Sequence, residues 1–76
     1  MEILIGRIYK HYKGNYYIVE NIALNTETDE QMVIYRALYD EGKVFARPVS
    51  SFIQKVENQN QEYRFELQTI DSALQK

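Results

Sequence analysis

The side chains able to carry chemistry are few and lie far apart along the chain. His11 is the only histidine. An imidazole with an ordinary pKa near 6.5 suits proton transfer close to neutral pH. That work needs an orienting partner, and Glu27 and Asp29, in the run Glu27-Thr28-Asp29-Glu30, are the candidate carboxylates. Arg47 stands directly before Pro48, and a guanidinium binds a carboxylate or a phosphate through two parallel N–H bonds. The competing reading of Arg47 is a structural ion pair with Glu27 or Glu57. Tyr9, Tyr12, Tyr17, Tyr35 and Tyr39 form the third group. They either line a groove that stacks bases or grips a peptide, or pack across neighbouring strands.

Other chemistries lack their residues. One histidine, no cysteine and scattered carboxylates give none of the spacings that zinc requires. The acidic run has no central glycine, so it is no calcium loop. Ser50, Ser51 and Ser72 do not sit in a Gly-x-Ser-x-Gly elbow. Three widely separated glycines make no phosphate-cradling loop. No metal and no cofactor are expected.

The elements that must position these residues follow from the patterning. Residues 31–39, Gln-Met-Val-Ile-Tyr-Arg-Ala-Leu-Tyr, are rich in strand formers. Asp40-Glu41-Gly42-Lys43 turns the chain, Val44-Phe45-Ala46-Arg47 returns, and Pro48 ends the return. This hairpin is the strongest structural signal in the chain. Residues 6–12 predict an earlier strand with Ile8 and Tyr12 inward, although Tyr9 argues for the other face. Lys13-Gly14-Asn15 is a tight turn into a strand over residues 16–23. In that strand Tyr17 and Val19 share a face, and a bulge near Glu20 restores the alternation at Ile22.

Residues 25–30 read as a polar loop. Val49, Phe52 and Ile53 have helical spacing, with Ser50 or Ser51 as cap. Residues 55–57 read as a short strand and residues 58–61 as a mobile polar loop. Residues 63–67 close the set, with Tyr63, Phe65 and Leu67 inward. Ile70, Ala73 and Leu74 fit one marginal helical turn in the tail. The sum is a mainly β domain over residues 1–67, a small SH3-like antiparallel barrel of five to six short strands with one short helical turn. A four-stranded sheet with the turn on one face is the alternative. Residues 68–76 form a tail.

Size and charge set limits. Seventy-six residues make one domain, and a chain this short buries only about 60% of its unfolded surface. Ten aromatic rings, seven of them Tyr, offset that handicap. Without cysteine the fold rests on packing and hydrogen bonds. No run approaches the ~20 apolar residues of a membrane helix, and the cytoplasm is the expected location. A net charge of −2 argues against nucleic acid as a partner, despite the cluster Arg7, Lys10 and Lys13.

Several blocks resemble one bacterial family, the domain-of-unknown-function family numbered 1653. They are His11-Tyr12-Lys13-Gly14, Tyr17 with Val19, Thr26-Glu27-Thr28, residues 33–39, Arg47-Pro48 with Phe52, and Arg64-Phe65. The resemblance spans residues 6–67 in order and spacing. It implies a small stand-alone bacterial cytoplasmic domain with an SH3-like, mostly β fold, and it implies no activity. Asn25 stands where the family often has His, and Phe45 where it often has Trp.

Three functions remain. The first is a non-enzymatic binding module presenting an aromatic and basic surface to an unknown protein or small-molecule ligand. Its ligand-binding candidates are His11, Lys13, Glu27, Tyr35 and Arg47. The second is a small-molecule site or enzyme using His11 with Glu27. The third is weak nucleic-acid binding through Arg7, Lys10 and Lys13. The chain is expected to be a monomer, or a homodimer paired through an exposed edge at residues 1–5 or 63–67.

Overall fold

Alternating apolar and polar positions, broken by glycine turns, fold the chain into five antiparallel strands in a computed structural model. They are β1 (Ile8–His11), β2 (Tyr16–Leu24), β3 (Gln31–Ala37), β4 (Val44–Pro48) and β5 (Phe65–Leu67), with one short helix, α1 (Val49–Phe52). The structure describes residues 2–58 and 60–69, so the expected tail helix at Ile70, Ala73 and Leu74 lies outside the described residues. The strand order β4-β3-β2-β1-β5 joins sequence neighbours by hairpins and returns β5 to the free side of β1.

The register explains which side chains meet. Tyr9 pairs with Tyr17, Val19 with Tyr35, Tyr35 with Phe45, Val33 with Arg47, and His11 with Phe65. Cross-strand partners share a face, and alternate residues of one strand do too. One face, here called inner, therefore carries Tyr9, His11, Tyr17, Val19, Tyr35, Ala37, Phe45, Arg47 and Phe65. The predicted bulge is present: the β2–β3 register shifts between Val19 and Asn21. Glu20 is left outside the ladder, where its carboxylate meets Arg36 Nε at 2.6 Å. The extra residue resets the phase, so Val19 and Ile22 both reach the core.

The core is Tyr9, Val19, Val33, Tyr35, Phe52 and Phe65, with Ile3, Tyr17, Ile22, Val49 and Ile53 packed against it. Phe52 is delivered by α1 and lies flat on Phe65, with ring centroids 4.1 Å apart and an interplanar angle of 1°. The main hairpin turns through Asp40 at φ 51° and Gly42 at φ 69°. Gly42 reaches that left-handed region without the steric penalty of a Cβ.

Five expectations are corrected. Tyr9 and His11, not Ile8 and Tyr12, share the face that carries the core, because register places them opposite Tyr17 and Phe65. Neither Ser50 nor Ser51 caps α1. Its N-cap is Pro48, with no side-chain cap bond, and the Ser51 hydroxyl accepts from Arg47 instead. Residues 55–57 form no strand, only a single bridge from Lys55 to Tyr63. Tyr63 thus lies before the closing strand. Gln61 is no free loop residue, since its side-chain amide donates to the carbonyls of Lys10 and Tyr63, both at 2.9 Å.

The molecule is mainly β, with five strands in one sheet and one short helix. Among the described residues β4 and β5 are the sheet's two edges and no ladder joins them. The chain between them is tied by the Lys55–Tyr63 bridge and by a bond from Arg64 N to Gln54 O of 2.8 Å. No helix among the described residues is long and apolar enough to cross a membrane.

Candidate functional site

The chemistry gathers on the inner face. Tyr17 lies at its centre, because β2 is the middle strand of the sheet. Its ring meets those of Tyr35, Tyr39, Phe65, Phe45 and His11 edge-on, at centroid distances of 5.3, 5.5, 5.6, 6.2 and 6.4 Å. Edge-to-face packing sets the positive rim of one ring against the negative face of the next. The residue paired with Tyr17 on β3 is the small Ala37. Beside it a hollow of about 420 Å³ opens, lined by Ala37, Tyr39, Asp40, Glu41, Lys43 and Phe45. The Tyr17 and Tyr39 hydroxyls share a hydrogen bond of 2.8 Å. Burial and that bond push the Tyr17 phenol up to about 12.

Two arginines stand at the inner border of this aromatic patch. Arg47 leaves β4 beside Tyr35, donating from Nε to the Tyr35 hydroxyl at 3.1 Å and from Nη1 to the Ser51 hydroxyl at 3.0 Å. Its guanidinium lies over the Phe65 ring, 5.6 Å from the centroid. Arg64 donates from Nε to the Ser51 carbonyl at 3.0 Å and from Nη2 to the Gln54 side-chain oxygen at 2.8 Å. Both guanidiniums thus converge on one residue of α1. Neither has a carboxylate within ion-pair distance among the described residues, where Glu20 pairs with Arg36 and Glu62 with Lys55.

His11 completes the arrangement. Its ring packs edge-on against Phe65 at 4.8 Å and stacks on Tyr12 at 4.6 Å. The Lys13 amide donates to His11 Nδ1 at 3.1 Å. A ring nitrogen that accepts is deprotonated, so neutral His11 carries its proton on Nε2. Partial burial, and then the positive charges of Arg47, Arg64 and Lys13, lower the His11 pKa to about 4.

The structure brings His11, Tyr35 and Arg47 together on one face and places Lys13 in the turn beside them. It sets Glu27 apart. That residue is exposed in the β2–β3 loop, at the end of β2 away from His11. The nine residues of β2 separate the two ends, a span of roughly 30 Å at the rise of an extended strand. Lys10 also lies apart from the site. Lys10 points to the outer face, its ammonium 5.8 Å from the Tyr16 ring. Lys13 instead lies 5.9 Å from the ring of Tyr12.

Sequence reasoning singled out neither Arg64 nor Phe65 as a site residue, left Tyr17 between a ligand groove and cross-strand packing, and took Ser51 as a candidate cap. Pairing His11 with the correct face would have exposed Tyr17 and Phe65 by alternation. Nothing in the local pattern marks Arg64, whose side chain reaches α1 from the irregular chain before β5.

Comparison with known proteins adds the family. The family model described as a protein of unknown function (DUF1653) matches residues 7–67. The chain belongs to this family. A crystal structure of a DUF1653 protein from Bordetella bronchiseptica is similar in fold, with a TM-score of 0.71 and 29% identity over 82% of this chain and 83% of that one. A comparison with curated proteins gave no match. The DUF1653 region contains every residue of the site described above, from His11 to Phe65.

Proposed function

We propose that this DUF1653 chain is a binding module whose inner face presents an aromatic and basic surface to a small-molecule ligand. The observation that carries the reading is the convergence of His11, Tyr17, Tyr35, Phe45 and Arg47 on one face of the sheet. Four of these five are rings, and Phe45 is 38% exposed beside a hollow of about 420 Å³. Exposed rings next to a cation bind flat or apolar groups through stacking and area burial.

The titration behaviour favours binding over proton transfer. A general acid or base works best with a pKa near the ambient pH. His11 at about 4 is a weak base, and Tyr17 at about 12 is a weak acid. Glu27 is too distant to orient the imidazole. The reading places the protein in the cytoplasm, supported by a fold without cysteine.

A fragment library titrated against the ¹⁵N-labelled full chain tests it. Hits are expected to move the amides of Tyr17, Tyr39 and Phe45 together. Phe45→Ala is expected to weaken those hits about tenfold, the ~1.4 kcal/mol of a stacked ring, with little change in thermal stability. Hits that cluster instead on the outer face, around Ile18 and Ile34, would overturn the proposal.

A further inference from the structure

Four side chains at the inner border of the aromatic patch, Arg47, Arg64, Ser51 and His11, are hydrogen-bond donors with capacity to spare. A guanidinium has five N–H groups and no acceptor. Arg47 uses two of them on Tyr35 and Ser51, and Arg64 uses two on Ser51 and Gln54. Three on each have no partner among the described residues. The Ser51 hydroxyl accepts from Arg47 and keeps its own proton to give. His11, with Nδ1 occupied by the Lys13 amide, offers Nε2–H. Among the described residues neither arginine forms an ion pair with a carboxylate, although the chain carries eleven acidic groups.

Two half-buried cations held on one serine, with neutral partners only, make a site that lacks its counter-charge. Like charges drawn together cost free energy unless an anion joins them. The complement of a set that is all donors and net positive is a group that is all acceptors and negative. We infer that Arg47, Arg64, Ser51 and His11 form a receptor for an oxyanion, a carboxylate or a phosphate ester. The ligand that carries it lays its flat apolar part on the rings of Tyr17 and Phe45.

The geometry links the two halves. Arg47 is bonded to the Tyr35 hydroxyl. The Tyr35 ring lies 5.3 Å from that of Tyr17 and 5.6 Å from that of Phe45. An oxyanion on the guanidiniums is therefore one ring's width from the aromatic patch. The bonds to Tyr35, Ser51 and Gln54 fix both arginines before any ligand arrives, which lowers the entropy lost on binding. Partial burial, and then the positive charges of Arg47, Arg64 and Lys13, keep His11 neutral, so Nε2–H stays available as a donor. The inference rests on the proposed binding function and adds the chemical class of the ligand.

The test titrates the labelled full chain with benzoate, phenyl phosphate, inorganic phosphate and neutral benzyl alcohol. Arginine Nε–H signals and the Tyr17 and Phe45 amides are followed by NMR. Benzoate or phenyl phosphate is expected to move the Arg47 and Arg64 signals and the two amides along one saturable curve. The tighter of the two identifies the oxyanion. Inorganic phosphate is expected to move the arginine signals alone and more weakly.

Arg64→Gln is expected to weaken the aryl anion about tenfold or more, the loss that follows from removing a charged hydrogen-bond donor. Arg47→Gln removes the bond to Tyr35 as well. If it unfolds, Arg47→Lys, which keeps charge but not the fork, still reads a loss of affinity. Benzyl alcohol binding as tightly as the anions, with the arginine signals still, removes the oxyanion receptor and leaves the aromatic ligand face standing. Silence from all four probes removes both.

Discussion

His11 sits among positive charges, and its titration becomes a stability term. Its pKa falls from 6.5 to about 4 on folding, through partial burial and then through Arg47, Arg64 and Lys13. Between those values the unfolded chain takes up a proton that the folded chain refuses. Stability therefore rises with pH across that window. The contribution is fully present above pH 6.5, is lost as pH falls through about 4 and is flat below. Solvent screens much of the effect, which leaves about 1 kcal/mol. His11→Gln cannot titrate. Urea denaturation of wild type and variant from pH 7 to pH 4 is expected to show the difference between them shrinking on acidification, while the carboxylate contributions cancel. A difference that grows on acidification would contradict the positive environment assigned to His11. The same surroundings explain why the imidazole could be found in the sequence but not understood there. Its type is visible at once, whereas Arg47 is 36 positions away and Arg64 is 53.

The helix α1 is four residues long, far too short to be stable in isolation. What holds it is Phe52, which is 0% exposed. Its ring stacks on Phe65 and meets Tyr9 and Tyr35 edge-on, at 5.4 and 5.6 Å. The helix in turn presents Ser51 to both arginines, so packing and site share one element. Phe52→Ala is expected to cost about 3–5 kcal/mol, a large part of the 5–15 kcal/mol that is usual for a domain. Denaturant melts should show either a midpoint shifted far down or a chain already unfolded. A loss below about 1 kcal/mol would mean that α1 is not anchored this way. Helical spacing at Val49, Phe52 and Ile53 reveals this element in the sequence. The role of Ser51 is hidden, because a serine at a helix start reads as a cap and only the approach of Arg47 makes it an acceptor.

Across the whole molecule, stability should grade from the middle of the sheet to its edges. β2 and β3 have ladder partners on both sides, whereas β4 and β5 each have one. Amides bonded on the inside of a sheet open only with larger unfolding events, and edge amides open locally. Hydrogen exchange is expected to be slowest at Val19 and Tyr35, both buried, and faster along β4 and β5. Protection of β5 equal to that of β2 would show that the two edges pair and close a barrel. The open edges also bear on the site. The inner face stays accessible where the hollow beside Ala37, Tyr39 and Phe45 opens.

Local information was enough for the hairpins, the bulge near Glu20, the turn at Gly42 and the mainly β class. Each depends on a few neighbouring residues and on the period of two of an extended strand. It also marked His11, Tyr35 and Arg47 as side chains able to bind. Which faces those side chains share was set by the register between strands. A shift of one residue moves a whole strand's side chains to the opposite face. That is how Ile8 and Tyr12 came to be expected where Tyr9 and His11 stand. The meeting of Arg47, Arg64 and Ser51 is a long-range event, brought about by packing Phe52 of α1 on Phe65 of β5. The partners of that contact are 13 positions apart with irregular chain between them, so only the folded chain shows that two guanidiniums end on one serine.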